Sequence, residues 1–265
     1  MASISRTVVI TGASSGIGKA LALRHARERG RLGLLGRDRE RLGAVAEECQ
    51  ALGAAVETAS LDVRARSGME QWLQSFDARG PIDVLIANAG VMTGRPADTL
   101  LEPPAAGYAA MEINVLGILN TVQPILPRML ARRHGQIGIV SSLAAFAPLP
   151  DAPTYSAAKA AVLNYGLALR HQLQSSGVGV SVICPGYVET PMLRQETGRK
   201  PFAMSAEAAA DCIVRGIERN RSIIAFPFLF AVMARLGNLV PGFLQRPTLP
   251  RFTVRNPLDL GGQSH

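Results

Sequence analysis

Short apolar runs recur along this 265-residue chain, and a helical stretch separates each from the next. Thr7-Val8-Val9-Ile10, Gly33-Leu34-Leu35-Gly36, residues 56–61, Asp83-Val84-Leu85-Ile86-Ala87, residues 136–141 and residues 178–184 read as strands. The runs are continuous instead of alternating with polar residues, which describes strands covered on both faces. Helices are expected from the glycine-rich turn to about residue 29, over 39–52, around 69–76, over 105–126 and over 155–174. In the second of these, Leu42, Val45, Ala46 and Cys49 follow the i, i+3, i+4, i+7 spacing of one helical face. Such strict alternation predicts an α/β chain with a doubly wound parallel sheet and helices on both faces.

Hydrophobic residues make up 48% of the chain and charged ones 18%, enough apolar material for a large core. Cys49, Cys184 and Cys212 stand far apart without a CxxC, so neither a disulfide framework nor a zinc ribbon is expected. The four histidines form no HExxH pair, and no metal is expected. The net charge of +8 comes from 25 arginines and only three lysines. Seven of those arginines fall between Arg24 and Arg41, but Glu28 and Glu40 interrupt them and no aromatic residue offers a stacking surface. Nucleic acid is therefore not an expected partner. The N-terminus lacks signal-peptide character, and no stretch of about 20 uncharged apolar residues occurs. These features lead us to expect a cytoplasmic protein.

Between the first strand and the first helix stands Thr11-Gly12-Ala13-Ser14-Ser15-Gly16-Ile17-Gly18. Glycine lets a backbone turn tightly and approach a pyrophosphate, while a helix N-terminus aims free N–H groups at it. The same residues would also serve as a plain strand-to-helix turn; their place after the first strand favours phosphate binding. The second strand ends Leu35-Gly36-Arg37. A site preferring NAD usually has an acid there for the ribose 2′-hydroxyl. Here Gly36 takes that place, and Arg37 is suited to a 2′-phosphate. The neighbouring Asp38 and a merely solvated Arg37 are the competing readings. The balance favours NADP over NAD.

Tyr155-Ser156-Ala157-Ala158-Lys159 opens a helix and puts Tyr155 and Lys159, four apart, on one face. A phenol with a reference pKa near ~10 is a poor base at neutral pH, and a nearby ammonium favours the phenolate. Asn88-Ala89-Gly90, Asn114 and Ser142 precede this pair, Ser142 by thirteen residues. With these motifs in order, the chain resembles the short-chain dehydrogenase/reductase family over residues 5–195. The resemblance implies a Rossmann-type sheet. It also implies that Gly12, Ser14, Ser15, Gly16, Ile17, Gly18, Arg37, Asp62, Val63, Asn88, Ala89, Gly90, Pro185, Gly186, Val188 and Thr190 bind the dinucleotide, together with Tyr155 and Lys159.

The resemblance further implies a chemical role for Asn114, Ser142, Tyr155 and Lys159. Ser142 would polarise the substrate oxygen, Tyr155 would act as general acid or base, Lys159 would tune Tyr155 and hold the ribose, and Asn114 would support a proton relay. Ser141 is the alternative to Ser142 if the strand register slips by one. The activity implied is hydride transfer between NADP(H) and an alcohol or carbonyl compound. A non-catalytic NADP-binding regulator is the rival reading, and the complete set of four residues argues against it.

A Ser205-capped helix to about residue 219 ends the expected catalytic domain, 1–221. Residues 222–265 form an extension that begins with a charge-free run over 223–234 and continues with Arg235, Arg246, Arg251 and Arg255. One reading makes it a seventh strand and a helix covering the cleft or a homodimer interface. The other lays residues 222–255 on an anionic membrane surface. Both suggest a hydrophobic alcohol, ketone or aldehyde as substrate. The loops 92–104, 143–154 and 193–204, with Leu100, Leu101, Phe146, Leu149, Met192 and Phe202 in or beside them, would line its pocket.

Overall fold

The computed structural model describes residues 6–195, 197, 200–228 and 232. Its first half runs β1 (Thr7–Thr11), α1 (Gly16–Ala26), β2 (Arg31–Gly36), α2 (Arg39–Ala51), β3 (Ala55–Ser60), α3 (Arg66–Ala78) and β4 (Val84–Ala87). The second half runs α4 (Pro104–Met111), a π-helical segment (Glu112–Leu116), α5 (Gly117–Val122), α6 (Leu126–Arg132), β5 (Gly135–Val140), a short 3-10 turn (Leu143–Ala145) and α7 (Pro153–Gln172). It closes with β6 (Val178–Pro185), β7 (Val188–Glu189), α8 (Pro191–Gln195), β8 (Met204–Ser205), α9 (Ala206–Glu218) and β9 (Ile223–Phe226).

Seven strands form one parallel sheet in the order β3-β2-β1-β4-β5-β6-β9. The order reverses between β1 and β4, so the crevice beyond their carboxyl ends opens at the switch point where such sheets bind ligands. Alternate side chains explain the continuous apolar runs. Val8 and Ile10 feed a core beneath α1, α2 and α9, while Val9 feeds a second core beneath α3, α5, α6 and α7. Val84 and Ile86 join the first core, Leu85 and Ala87 the second. The edge strand β3 departs from the continuous pattern: no residue of it is fully buried. With a neighbour on one side only, it carries Glu57 and Thr58 without cost.

The helix expected over 105–126 is not continuous. A π-helical segment holds Asn114, and the helix ends at Val122, where Pro124 interrupts the ladder. A separate α6, with Pro127 in its first turn, follows. The first helix ends at Ala26 instead of near residue 29, because Arg29 enters the left-handed region at φ 55° before Gly30. Ser205 caps α9, its hydroxyl accepting the Ala208 N–H at 3.1 Å. Residues 223–226 of the expected extension pair with β6. The rest of that segment, with the membrane, dimer and cleft-covering roles expected for it, lies outside the described residues apart from Pro227, Phe228 and Val232.

Candidate functional site

The turn after β1 is held open by absent side chains. A Cβ on Gly18 would stand 2.1 Å from the Gly12 carbonyl oxygen, and one on Gly12 would stand 2.8 Å from the Ala89 Cα. Gly12 also sits at φ +66°, where only glycine is at ease. Asn88 fastens the turn to β4: its side-chain amide donates to the Thr11 carbonyl at 2.9 Å and to the Gly12 carbonyl at 3.2 Å. In return the Thr11 hydroxyl accepts the backbone N–H groups of Asn88 and Ala89, at 3.0 and 3.1 Å. Ser15, the residue before α1, makes no side-chain cap, so the first N–H groups of that helix keep no bond from it. This is a cradle shaped for the phosphates of a dinucleotide. Thr190 closes it from above, its methyl 3.0 Å from where a Gly16 Cβ would be. Ser14 meets the end of β2, with its Oγ 3.3 Å from a Cβ built on Gly36.

Lys159 lies on α7 and is 4% exposed. Its Nζ donates to the Val140 carbonyl at 3.1 Å and stands 5.7 Å from the centre of the Tyr155 ring. Burial pushes its pKa down to about 8. Asn114 is wholly buried and pairs with the backbone of Val91 in both directions, at 2.9 Å each. A Cβ on Gly90 would touch Asn114 Oδ1 at 2.8 Å and Lys159 Nζ at 3.3 Å, so those two polar atoms converge on one glycine. π-turns are frequent at functional sites because the extra residue re-aims a side chain. Here the turn presents Asn114 to the loop that follows β4.

The end of β5 separates the two serines. Ser141 is buried, and its hydroxyl donates to the Lys159 carbonyl at 2.7 Å. Ser142 points the other way along the strand, is half-buried, and accepts the Ala144 N–H at 3.1 Å. Tyr155 is 9% exposed and clusters with Met92, Ala144 and Ala152. The Ser141 tether thus fixes the end of β5, where Ser142 follows, against α7 at Lys159. Pro185 ends β6, the Gly186 N–H donates to the Phe226 carbonyl at 2.7 Å, and Val188 is buried in the first core. At the end of this segment Thr190 reaches the cradle at Gly16.

Arg37, Asp62 and Val63 gather at the far corner. The β2–β3 ladder continues past the strands, with the Leu61 N–H donating to the Gly36 carbonyl at 3.0 Å, so Arg37 and Asp62 stand near each other. Ser60 Oγ donates to the Arg37 carbonyl at 2.9 Å. Val63 packs on α5, its methyl 2.6 Å from where a Gly117 Cβ would be.

Sequence reasoning missed several members of this site. Thr11 was legible only as the first letter of a motif, although its hydroxyl locks the cradle. The carbonyls of Val91 and Val140 leave no signal in a sequence. A third is the ion pair Arg95–Asp151, which ties the loop after β4 to the loop after β5. Arg95 Nε donates to Asp151 Oδ1 at 2.5 Å, and the Arg95 N–H donates to the Asp151 carbonyl at 2.8 Å.

The comparisons with known proteins agree with this architecture. The sequence profile described as short chain dehydrogenase matches residues 6–200. An uncharacterized oxidoreductase of Myxococcus xanthus is 35% identical over 237 residues, 89% of this chain and 93% of that one. A 3-dehydrosphinganine reductase of Arabidopsis thaliana is 35% identical over 209 residues, 77% of this chain and 62% of that one. The chain therefore matches less than two thirds of the plant protein's length. Among solved structures, a short-chain dehydrogenase/reductase of Burkholderia phymatum in complex with NAD superposes with a TM-score of 0.82 at 24% identity. That superposition covers 95% of this chain and 99% of the other. Profile and relatives, on a sheet wound in this order, assign the chain to the short-chain dehydrogenase family.

Proposed function

We infer that the chain transfers a hydride between NADP(H) and a hydrophobic alcohol or carbonyl compound. The observation that carries this reading is the convergence of Lys159 Nζ and Asn114 Oδ1 on Gly90, with Tyr155 one helical turn from Lys159 and beside the crevice of the phosphate cradle. When bound, the nicotinamide supplies the hydride chemistry. The chain's own groups supply position and protons. Tyr155 gives its phenolic proton to the oxygen of the reduced carbonyl, or takes one from an alcohol. Ser142, half-buried at the mouth, donates to that same oxygen and polarises it. Lys159 favours the tyrosinate electrostatically and reaches the ribose hydroxyls, and Asn114 holds the loop against which the relay to solvent is built.

The assignment of NADP over NAD rests on the end of β2. Gly36 offers no carboxylate to a ribose hydroxyl, and Ser14 crowds the place where one would project. Arg37 supplies the cation a 2′-phosphate needs. A hydrophobic substrate fits the Met92, Ala144 and Leu149 side chains that pack with Tyr155 and the exposed Leu100, Leu101 and Phe202 on the loops expected to line the pocket. The plant relative's name, a reductase of 3-dehydrosphinganine, supports a ketone as the oxidised partner. The homodimer and the membrane contact through 222–255 stand as proposals beside this reading.

Calorimetric binding of NADPH and NADH to wild type and to Arg37→Asp tests the cofactor assignment. Tight NADPH binding that Arg37→Asp shifts toward NADH supports it; equal binding of both nucleotides by wild type rejects it. Reduction of long-chain ketones, with small polar ketones inert, supports the substrate class. The reverse preference rejects it.

A further inference from the structure

Arg37 has an acid on either side, and each acid also holds a second arginine. Asp38 caps α2, its Oδ1 accepting the Arg41 N–H at 3.0 Å while Arg41 Nε stands 3.0 Å from Oδ2. Asp62 is held more completely. Its Oδ1 accepts the Arg64 N–H at 2.9 Å, and the Arg64 side chain reaches back with Nε at 3.0 Å and Nη2 at 2.7 Å from Oδ2. A backbone bond and a forked guanidinium thus close on one carboxylate only two residues away. The fork is itself braced. Arg64 Nη1 lies 3.6 Å from Glu112 Oε2, and Asn120 Nδ2 donates to the Val63 carbonyl between the two partners at 2.8 Å. Burial works to raise the Asp62 pKa, yet the Arg64 bonds and charge, with the nearby charge of Arg37 adding to them, outweigh it and hold the carboxyl below its ordinary range.

The consequence is electrostatic. Arg37, Arg41 and Arg64 stand among Asp38, Asp62 and Glu112, so three guanidinium groups just balance three carboxylates and the loss of one leaves the corner negative. A 2′-phosphate brings close to two negative charges into this corner, and a ribose hydroxyl brings none. An uncompensated Asp62 at the tip of β3, beside Arg37, would repel the first and leave the second indifferent. We propose that Arg64 is a specificity-determining residue: by neutralising Asp62 it makes the adenosine corner accept a 2′-phosphate. This rests on the NADP reading above, but it concerns a residue that reading does not use. Arg64 acts through Asp62 and not as the ligand of the phosphate, which gives it a signature that Arg37 lacks.

That signature is rescue. We would measure dissociation constants of NADPH and NADH by titration calorimetry for wild type, Arg64→Ala, Asp62→Asn and the double variant, with melting curves to confirm folding. Arg64→Ala is expected to weaken NADPH about tenfold and NADH less than about twofold. Adding Asp62→Asn to Arg64→Ala is expected to recover most of the lost NADPH affinity. Arg64→Lys, which keeps the charge and loses the fork, should fall between wild type and Arg64→Ala. Equal weakening of both nucleotides overturns the proposal and makes Arg64 a scaffold residue. Failure of Asp62→Asn to rescue also overturns it and makes Arg64 a direct phosphate ligand. A wild type that binds the two nucleotides alike overturns the NADP reading and the proposal together, and that result comes before any variant is measured.

Discussion

Lys159 is a buried cation, 4% exposed. It is an ammonium with one carbonyl partner inside the molecule, and burial brings its pKa from 10.5 to about 8. Between those two values the unfolded chain binds more protons than the folded one, so stability rises with pH across that window. Below pH 8 both states are protonated, and the cost of burying the charge is present in full. Unfolding by urea from pH 7.5 to 10 should therefore show a steeper stability gain in wild type than in Lys159→Met. The difference should reach about 1–3 kcal/mol, and parallel curves for the two proteins would contradict it. Tyr155 is the complementary case. Tyr155→Phe keeps the ring in its cluster with Met92, Ala144 and Ala152 and removes the phenolic hydroxyl, the group that would carry the proton. We expect kcat for carbonyl reduction to fall about 10²–10⁴-fold while NADPH affinity changes less than about twofold.

At the scale of elements, the two joints that form the site are a glycine turn and a loop-to-loop ion pair. Gly18→Ala would set a methyl against the Gly12 carbonyl and the Asn88 amide, both of which belong to the cradle. It should cost about 2–4 kcal/mol and abolish nucleotide binding, as read by melting and calorimetry on the same sample. Arg95 and Asp151, 24% and 10% exposed, join the segment after β4 to the one that leads into α7. Asp151→Asn is expected to raise KM for the carbonyl substrate about five- to tenfold and to leave NADPH affinity unchanged, since the pair touches none of the cradle. A change in nucleotide affinity instead would show that the two loops are not separable from the cradle.

These elements also show what a sequence can and cannot disclose. The strands were legible because alternate residues serve two cores, which keeps all but the edge strand β3 mostly apolar. The cradle and the Tyr155–Lys159 pair were legible because their chemistry requires fixed residue types at fixed spacing. The break at Glu112–Leu116 was not, because a π-turn costs one extra residue and carries no composition of its own. The grip of Arg64 on Asp62 was unreadable for another reason. In sequence they are merely an acid and a base two apart in an arginine-rich chain, and only the fold brings the guanidinium back onto the carboxylate.

In the whole molecule, the reversal of strand order between β1 and β4 divides the labour. In the proposed arrangement the nucleotide's phosphates and adenosine fall to β1, β2 and β3, with their turn residues between 11 and 64, and the chemistry falls to β4, β5, α7 and the 185–190 segment. A ligand that bridges both halves should stabilise the entire domain. NADPH at a hundred times its dissociation constant is expected to add about 2.7 kcal/mol. For a chain of this size that corresponds to a rise in Tm of roughly 5–10 °C, and scanning calorimetry with and without nucleotide would measure it.

The same division governs how the protein can change. Residues 36–38 and 62–64, at the proposed adenosine corner, share no position with the loops 92–104 and 143–154, which are proposed to line the substrate pocket. Distant changes without common partners contribute independently to free energy. Cofactor preference and substrate preference can therefore be altered one at a time in descendants of this chain, each without undoing the other. A lineage could adopt a new substrate without giving up its cofactor.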